Sequence, residues 1–339
     1  MKKLLLFGAA ASLLAVLSGC DVRNFNSSNG WSDADLKAAT NVIQTAAIPG
    51  SLKSLAVDNR FGAVHIIGTE NGSTAWTWKL TVRARNDSAA QQFATNAGCK
   101  VQLDGDHLSL VVSLPDTKEP HSFQSDFEIS VPKSIAVHAQ NRFGRTDIAS
   151  VAGDVEAANE NGRLEIGNIG GGVRARTSFA TLTVSNTGPA TLNNQNGEIK
   201  ATAIGGPLMA ATSFASLIAQ DVRGPATLSS QNGKIEANNI HGLLEAKTSF
   251  GSLAAKDISG AATLRNQNGR IEATGIGGAL NAKTSFDSLN ARDVDGAVHL
   301  RDQNGSINIT QVKGNADVET SFDLNPASKH IGCAVFRQC

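Results

Sequence analysis

The sequence predicts an all-β chain: a single-stranded parallel β-solenoid (β-helix) with about 18 residues per coil, grouped in 36-residue double-coil repeats. Three observations predict it. First, Phe214, Phe250, Phe286 and Phe322 recur every 36 residues, as do Asn196, Asn232, Asn268 and Asn304, each followed by glycine. Second, the unit halves. Leu280 and Val298, Phe286 and Asn304, Leu289 and Ile307, and Val294 and Val312 are each 18 apart, so coils carrying Thr-Ser-Phe alternate with coils carrying Gln-Asn-Gly. Third, each coil contains short apolar alternations, such as Leu280/Ala282 and Leu289/Ala291, broken by Gly, Asn, Asp and Ser. That is the chemistry of strands and turns, not the 3.6-residue period of a helix. A coil this short holds two or three strands, and it buries its apolar face only against the coils next to it. The general rule for parallel crossovers favours right-handed winding.

The repeats also predict how the layers pack. Six residues before the Phe stand Val173, Leu208, Leu244 and Leu280, and four before it stand Ala175, Ala210, Ala246 and Ala282. The Asn-Gly coils reverse the order, with Ala190, Ala226, Ala262 and Val298 followed by Leu192, Leu228, Leu264 and Leu300. Large over small in adjacent coils interdigitates at constant volume, which accounts for a period of 36 rather than 18. The Phe that alternates with Asn-Gly at one corner is expected to act the same way, with glycine supplying a positive φ in the turn. Phe143, Asn161 and Phe179 keep the 18-residue spacing, whereas Phe179 to Asn196 is 17.

In chain order, residues 1–19 hold two lysines and an apolar run from Leu4 to Leu17, the pattern of a secretory signal. Leu17-Ser18-Gly19-Cys20 resembles a bacterial lipobox. That resemblance implies cleavage before Cys20 and acylation, palmitate included, of its thiol and new amine. Two or more acyl chains anchor a protein stably where one is marginal. The expectation is an exported protein held in the cell envelope, on the inner or outer membrane or at the cell surface. Residues 20–48 read as a polar tether, with Ser32-Asp33-Ala34-Asp35 able to cap a short helix that continues toward Ala47.

Residues 49–72 form the first coil. Asn59-Arg60-Phe61-Gly62 returns as Asn141-Arg142-Phe143-Gly144, so both stretches belong to the solenoid. The intervening segment, 73–134, has a one-sided strand through Trp76, Trp78, Leu80 and Val82, a helix over Asn86 to Asn96, a hairpin around Asp104-Gly105-Asp106, and a last strand through Phe127, Ile129 and Val131. It is expected to form a small antiparallel strand-and-helix cap near the N-terminal end, with both tryptophans in its core. Solenoid repeats then run over 135–325. A tail, 326–339, leaves the pattern at Pro326 and closes with Cys333 and Cys339, which a short loop disulfide would join. Pairing either of them with Cys99 would tie the solenoid's two ends together.

These features together resemble the bacterial putative-adhesin family of β-strand-repeat envelope proteins, a domain of unknown function. The resemblance covers about residues 50 to 325 and implies an envelope β-solenoid without known chemistry.

Composition excludes some functions. Thirty basic and thirty acidic residues cancel, which argues against a nucleic-acid partner held by bulk charge. The seven histidines show no metal-ligand spacing, and no nucleophile or phosphate-loop motif is present, so no metal, cofactor or catalytic residue is assigned. Asp221, Asp257 and Asp293 stack every second coil and are the candidates if the chain is a polysaccharide-active β-helix enzyme. Their repetition suits turn residues better.

Lys247, Arg265, Lys283 and Arg301, one per coil, predict a basic ladder roughly 15 Å long. Glu198, Glu236 and Glu272 are expected close enough to neutralise part of it. The functional expectation is therefore a non-catalytic binding or structural module, anchored by acyl chains on Cys20, whose partner is an anionic glycan or another envelope protein.

Overall fold

The computed structural model describes residues 38–49, 52–70, 72–116, 121–321, 324–325 and 334–338. Signal, lipobox, Cys20, Phe322, Cys333 and Cys339 lie outside them. Each repeat coil folds as a five-residue strand, a corner, a six-residue strand and a second corner, as in Leu244–Thr248 followed by Leu253–Ile258. Alternation sets the faces: Leu244, Ala246 and Thr248 are buried while Glu245 and Lys247 are exposed. Equivalent strands of successive coils pair in parallel, Leu244 with Ala262 and Leu253 with Ile271. The six-residue strands build sheet A and the five-residue strands build sheet B, each 15 strands long, with one core between them.

Large stands over small in sheet B. The column Ala190, Leu208, Ala226, Leu244, Ala262, Leu280 alternates, and Leu192, Ala210, Leu228, Ala246, Leu264, Ala282 complements it. Sheet A does not alternate. Ile199, Leu217, Ile235, Leu253, Ile271 and Leu289 form one large column, beside a column of alanines from Ala201 to Ala291. Either arrangement gives every rung one large and one small side chain. Constant volume therefore does not demand alternation, and the 36-residue period belongs to sheet B and the corner that follows it.

That corner is organised by a buried polar side chain. Thr177, Asn194, Thr212, Thr248, Asn266 and Thr284 are all at most 6% exposed. Each donates to the carbonyl three residues past its counterpart in the preceding coil. Asn194 Nδ2 reaches Ala180 O at 2.7 Å, Thr212 Oγ1 reaches Gly197 O at 3.0 Å, and Asn266 Nδ2 reaches Gly251 O at 2.7 Å. The series begins with Asn141 on Gly62 O at 2.9 Å and ends with Thr320 on Gly305 O at 3.2 Å.

Two expectations fail here. Phe179, Phe214, Phe250 and Phe286 do not interdigitate; they are 60–63% exposed, because the Thr two residues earlier already fills the inside of the turn. The Asn-Gly glycines do not supply positive φ. Gly233 is needed because a Cβ there would lie 1.8 Å from Ala215 O of the coil below.

At the Phe corner positive φ is confined, among the described residues, to Gly62 and Gly144 of the two Arg-Phe-Gly turns; it recurs coil after coil at the opposite corner, at Ser150, Asn168, Asn186, Ala203, Asp221, Asn239, Asp257, Gly275, Asp293 and Gln311. Asn and Asp tolerate this left-handed conformation best among residues with a side chain. This corner also holds the 17-residue spacing. Three residues separate Thr187 from Ala190, where Ile204 and Leu208 are four apart.

The N-terminal end departs further from simple stacking. We number its elements β1 (Ala38–Pro49), β2 (Ser54–Phe61), β3 (Val64–Thr69), β4 (Ser73–Ala84), α1 (Asp87–Asn96), β5 (Gly98–Asp104), β6 (His107–Ser113), β7 (His121–Pro132), β8 (Ala136–Phe143) and β9 (Thr146–Ala149). The first coil, β2–β3, is sandwiched between the coil β8–β9 and a rung that the inserted segment itself supplies, β6 on β2 and β7 on β3, both parallel. Antiparallel strands finish both sheets: β5 on β6, then β4 on β7 and β1 on β4. The cap is thus a continuation of both sheets rather than a separate one.

Trp76 and Trp78 are buried in it, and Trp78 Nε1 donates to Ser125 Oγ at 2.8 Å. Asn86 caps α1 by accepting from Ala89 N at 2.9 Å. Phe93 of α1 stacks on Phe123, which meets Phe61 edge-on, and Phe61 stacks on Phe143.

The tether expectation is corrected from Ala38 onward. Where a helix was expected, β1 is a strand, because its inward side chains alternate and Val42, Ala46 and Ile48 lie on the core. The tail is corrected too. Ala334–Gln338 pairs in parallel with Ala316–Thr320, 18 residues earlier, so the pattern resumes beyond Pro326.

Candidate functional site

The outer face of sheet B brings the predicted cations together. Lys247 pairs with Arg265, Arg265 with Lys283, and Lys283 with Arg301. All four are exposed. Adjacent strands put neighbouring cations about 4.8 Å apart at the backbone. The ladder runs from Ser229 at one end to Glu319 at the other, where Arg301 Nε meets Glu319 Oε2 at 3.2 Å.

The expected neutralisation by glutamates is not found. Glu198, Glu236 and Glu272 lie at sheet A, each engaged by its own neighbour: Lys200, Lys234 and Arg270 respectively. The acids sharing the ladder's face are Glu245, two residues before Lys247, and, at its far end, Glu319 and Asp317. Beside the ladder a shallow groove of about 490 Å³ crosses four coils, lined by Thr263, Asn281, His299 and Asp317, with His299 Nδ1 2.9 Å from Asp317 Oδ2.

On the ladder's other side lies the corner with the exposed phenylalanines, which sequence reasoning placed in the packing. Between successive rings the same position carries Asn196, Asn232 and Asn268, and the residues before these, Gln195, Gln231 and Gln267, are exposed. The corner stays in register because Asn196 N, Asn232 N and Asn268 N bond to the carbonyls of Ser178, Ser213 and Ser249 at 2.7–2.9 Å. The signal available in the sequence was the Thr of Thr-Ser-Phe: a small β-branched polar residue two positions before the ring.

Asp221, Asp257 and Asp293 are the left-handed corner residues, with φ of 53–56°. The side chains of Asp221 and Asp293 bond between or along coils rather than to the turn's backbone. Asn239 Nδ2 donates to Asp221 Oδ1 at 2.6 Å, and Arg292 Nε meets Asp293 Oδ2 at 3.1 Å. At the one short turn this corner opens into a depression of about 570 Å³, lined among others by Asn186, Ala203, Asp221, Arg223 and His241.

Two titratable groups elsewhere are perturbed. Burial pushes the Cys99 thiol up to about 12, and Cys99 is a free thiol. Burial, with the Asp287 carboxylate adding to it, raises Asp302 above the usual carboxylate range. Asp302 occupies a donor position of the buried corner series, yet as a carboxylate it only accepts, and its Oδ2 has no hydrogen-bond partner.

Among the described residues no group of His, Cys, Asp and Glu could hold a metal ion, and no helix is long and apolar enough to cross a membrane.

No protein-family model and no curated protein matches the chain. Solved structures similar to it include a putative cell adhesion protein from Clostridium sporogenes ATCC 15579, 12% identical, with TM-score 0.33, covering 62% of this chain and 100% of that one. A putative adhesin from Parabacteroides distasonis ATCC 8503 is 13% identical, with TM-score 0.26, over 88% of this chain and 96% of that one. One from Bacteroides fragilis NCTC 9343 is 14% identical, with TM-score 0.27, over 77% and 97%.

Proposed function

We propose that this protein is a lipid-anchored module of the bacterial envelope that binds an anionic envelope polymer without transforming it. Acyl chains on Cys20 hold it at the membrane, and Lys247, Arg265, Lys283 and Arg301 line the binding face. The observation that carries this reading is the unbroken register of four exposed cations along one sheet face, with Arg301 alone of the four ion-paired among the described residues, to Glu319 at the ladder's end. A line of like charge at the spacing of strands attracts a line of opposite charge, and ionic strength weakens the attraction. The test is co-sedimentation of the Cys20→Ala protein with peptidoglycan, lipopolysaccharide and acidic or neutral glycans, at low and physiological salt. Saturable, salt-sensitive binding is expected, lost when the four cations are replaced by Gln. Absence of binding to every polymer overturns the reading.

A second reading is a polysaccharide-active enzyme. What favours it is the depression at the shortened turn between Thr187 and Ala190, which Asp221, Arg223 and His241 help to line. Shortened glycan products, abolished by Asp221→Asn or His241→Ala, would establish it in place of the first.

A further inference from the structure

The exposed phenylalanines are unexplained by folding. Phe179, Phe214, Phe250 and Phe286 are 60–63% exposed at a corner whose interior is already filled and hydrogen-bonded, and aromatic area repeatedly left in water on a soluble face marks an interaction site. They recur every second coil, which at the spacing of stacked strands is about 9.6 Å from ring to ring and about 29 Å from first to last. Between rings stand amides, Asn196, Asn232 and Asn268, with Gln195, Gln231 and Gln267 exposed beside them. Three residues earlier in each coil, Lys247, Arg265 and Lys283 flank the Phe250–Phe286 half, while Arg176 stands beside Phe179 and the coils between carry the uncharged Asn193, Ala211 and Ser229.

The structure assigns this corner as a rail for an acidic, β-1,4-linked polysaccharide, its rings resting on the phenylalanines and its carboxylates facing the basic ladder. This deepens the polymer-binding reading and rests on it. The chemistry fits on three counts. In such a glycan alternate pyranoses turn over, so one face returns every second ring, and two pyranoses in an extended chain span about the same distance as two coils. The C–H face of a pyranose is apolar and packs on an aromatic ring, while its hydroxyls need donors and acceptors at its edge, which the interleaved Asn and Gln amides supply. The negative charge of the uronate is complementary to the flanking ladder.

A bilayer suits the corner less well. The amides between the rings break the apolar strip, and burying them in hydrocarbon is costly. A second copy of the chain would bring one basic ladder near another.

The test uses the full chain carrying Cys20→Ala, its variant with Phe179, Phe214, Phe250 and Phe286 all replaced by Ala, and its variant with Lys247, Arg265, Lys283 and Arg301 all replaced by Gln. Probes are β-1,4-polymannuronate, inorganic polyphosphate of similar charge, and phosphatidylglycerol vesicles. The Phe variant is expected to keep its melting temperature and polyphosphate affinity and to bind polymannuronate about tenfold more weakly or worse. The cation variant is expected to lose both polymers. If the Phe variant binds polymannuronate like the parent, the rail is wrong while polymer binding stands. If the parent binds neither polymer, both readings fall. Vesicle binding that depends on the phenylalanines without glycan binding would make the corner a membrane face. A dimer in sedimentation equilibrium that the Phe variant dissociates would make it a self-association face. Either result overturns the rail.

Discussion

The solenoid turns twice per coil, and the two corners solve the same problem differently. After sheet B the chain tucks a polar side chain inward, and in most coils a Thr or Asn donor ties the coil to a carbonyl of the one below, while Ser230 and Asp302 stand in the series as acceptors. There glycine is a matter of space, because backbone approaches backbone. After sheet A the chain instead takes one left-handed residue, and glycine is optional, since Asn, Asp, Ala and Gln occupy the same position. One corner is held by buried polar contacts, and its spacing changes only at the end, where Leu324 follows Thr320 by four residues while Leu289 follows Thr284 by five. The other varies at its left-handed residue and in one place is shorter by a residue, yet it keeps a glycine column of its own, in which a Cβ on Gly260 would lie 2.5 Å from Gly242 O.

This difference can be sharpened by substitution. The largest effect is expected at Gly233→Ala. Its Cβ would meet Ala215 O at 1.8 Å, and backbone on both sides cannot yield, so a loss of about 3 kcal/mol or more is expected in denaturant unfolding. Thr248→Val keeps the shape but removes the bond from Oγ1 to Gly233 O at 3.0 Å, stranding a buried carbonyl, and about 1–2 kcal/mol should be lost.

Asp302→Asn should stabilise by about 1 kcal/mol near neutral pH, since an amide restores the donor that Asn194 and Asn266 provide. The sign of its pH dependence follows from Asp302 being raised on folding. Above its unfolded value the native state holds the extra proton, so stability falls as pH rises through the folded value and then levels off. The advantage of Asp302→Asn should therefore grow across that window and vanish below it, as thermal melts across pH would show. No difference between melts at low and neutral pH would refute this account.

The smallest effect is expected at Gly275→Asn, within about 0.5 kcal/mol of zero. The backbone is already left-handed at φ +69°, and the nearest atom to a new Cβ is the mobile Asp257 Oδ1 at 2.8 Å. A loss as large as that at Gly233 would erase the distinction between the corners.

Much of the fold was legible in the residues. Spacing of 18 and 36, apolar alternation and turn chemistry determine parallel coils, strand register and the inward columns, because a solenoid's contacts are local and repeat with the chain. The basic ladder followed from register alone. What spacing does not carry is direction and company. Phe250 reads as apolar and hence internal, yet its place in the turn turns it outward once Thr248 has filled the inside. Asn-Gly reads as a positive-φ turn, but whether a glycine is there for conformation or for clearance depends on how closely the next coil lies. Ala38–Pro49 is weakly apolar and becomes a strand only because β4 offers it an edge. The glutamates are near the ladder in sequence and on the other sheet in space.

The sequence by itself thus determined the repeat, the sheet columns and the placement of the four cations, since each depends on a residue's position within its own coil. Only the tertiary structure decided which side chains face water at the corners, which carboxylates are paired, and that the inserted segment adds a rung beneath the first coil. Those outcomes depend on what the neighbouring coil leaves open, which no single coil encodes.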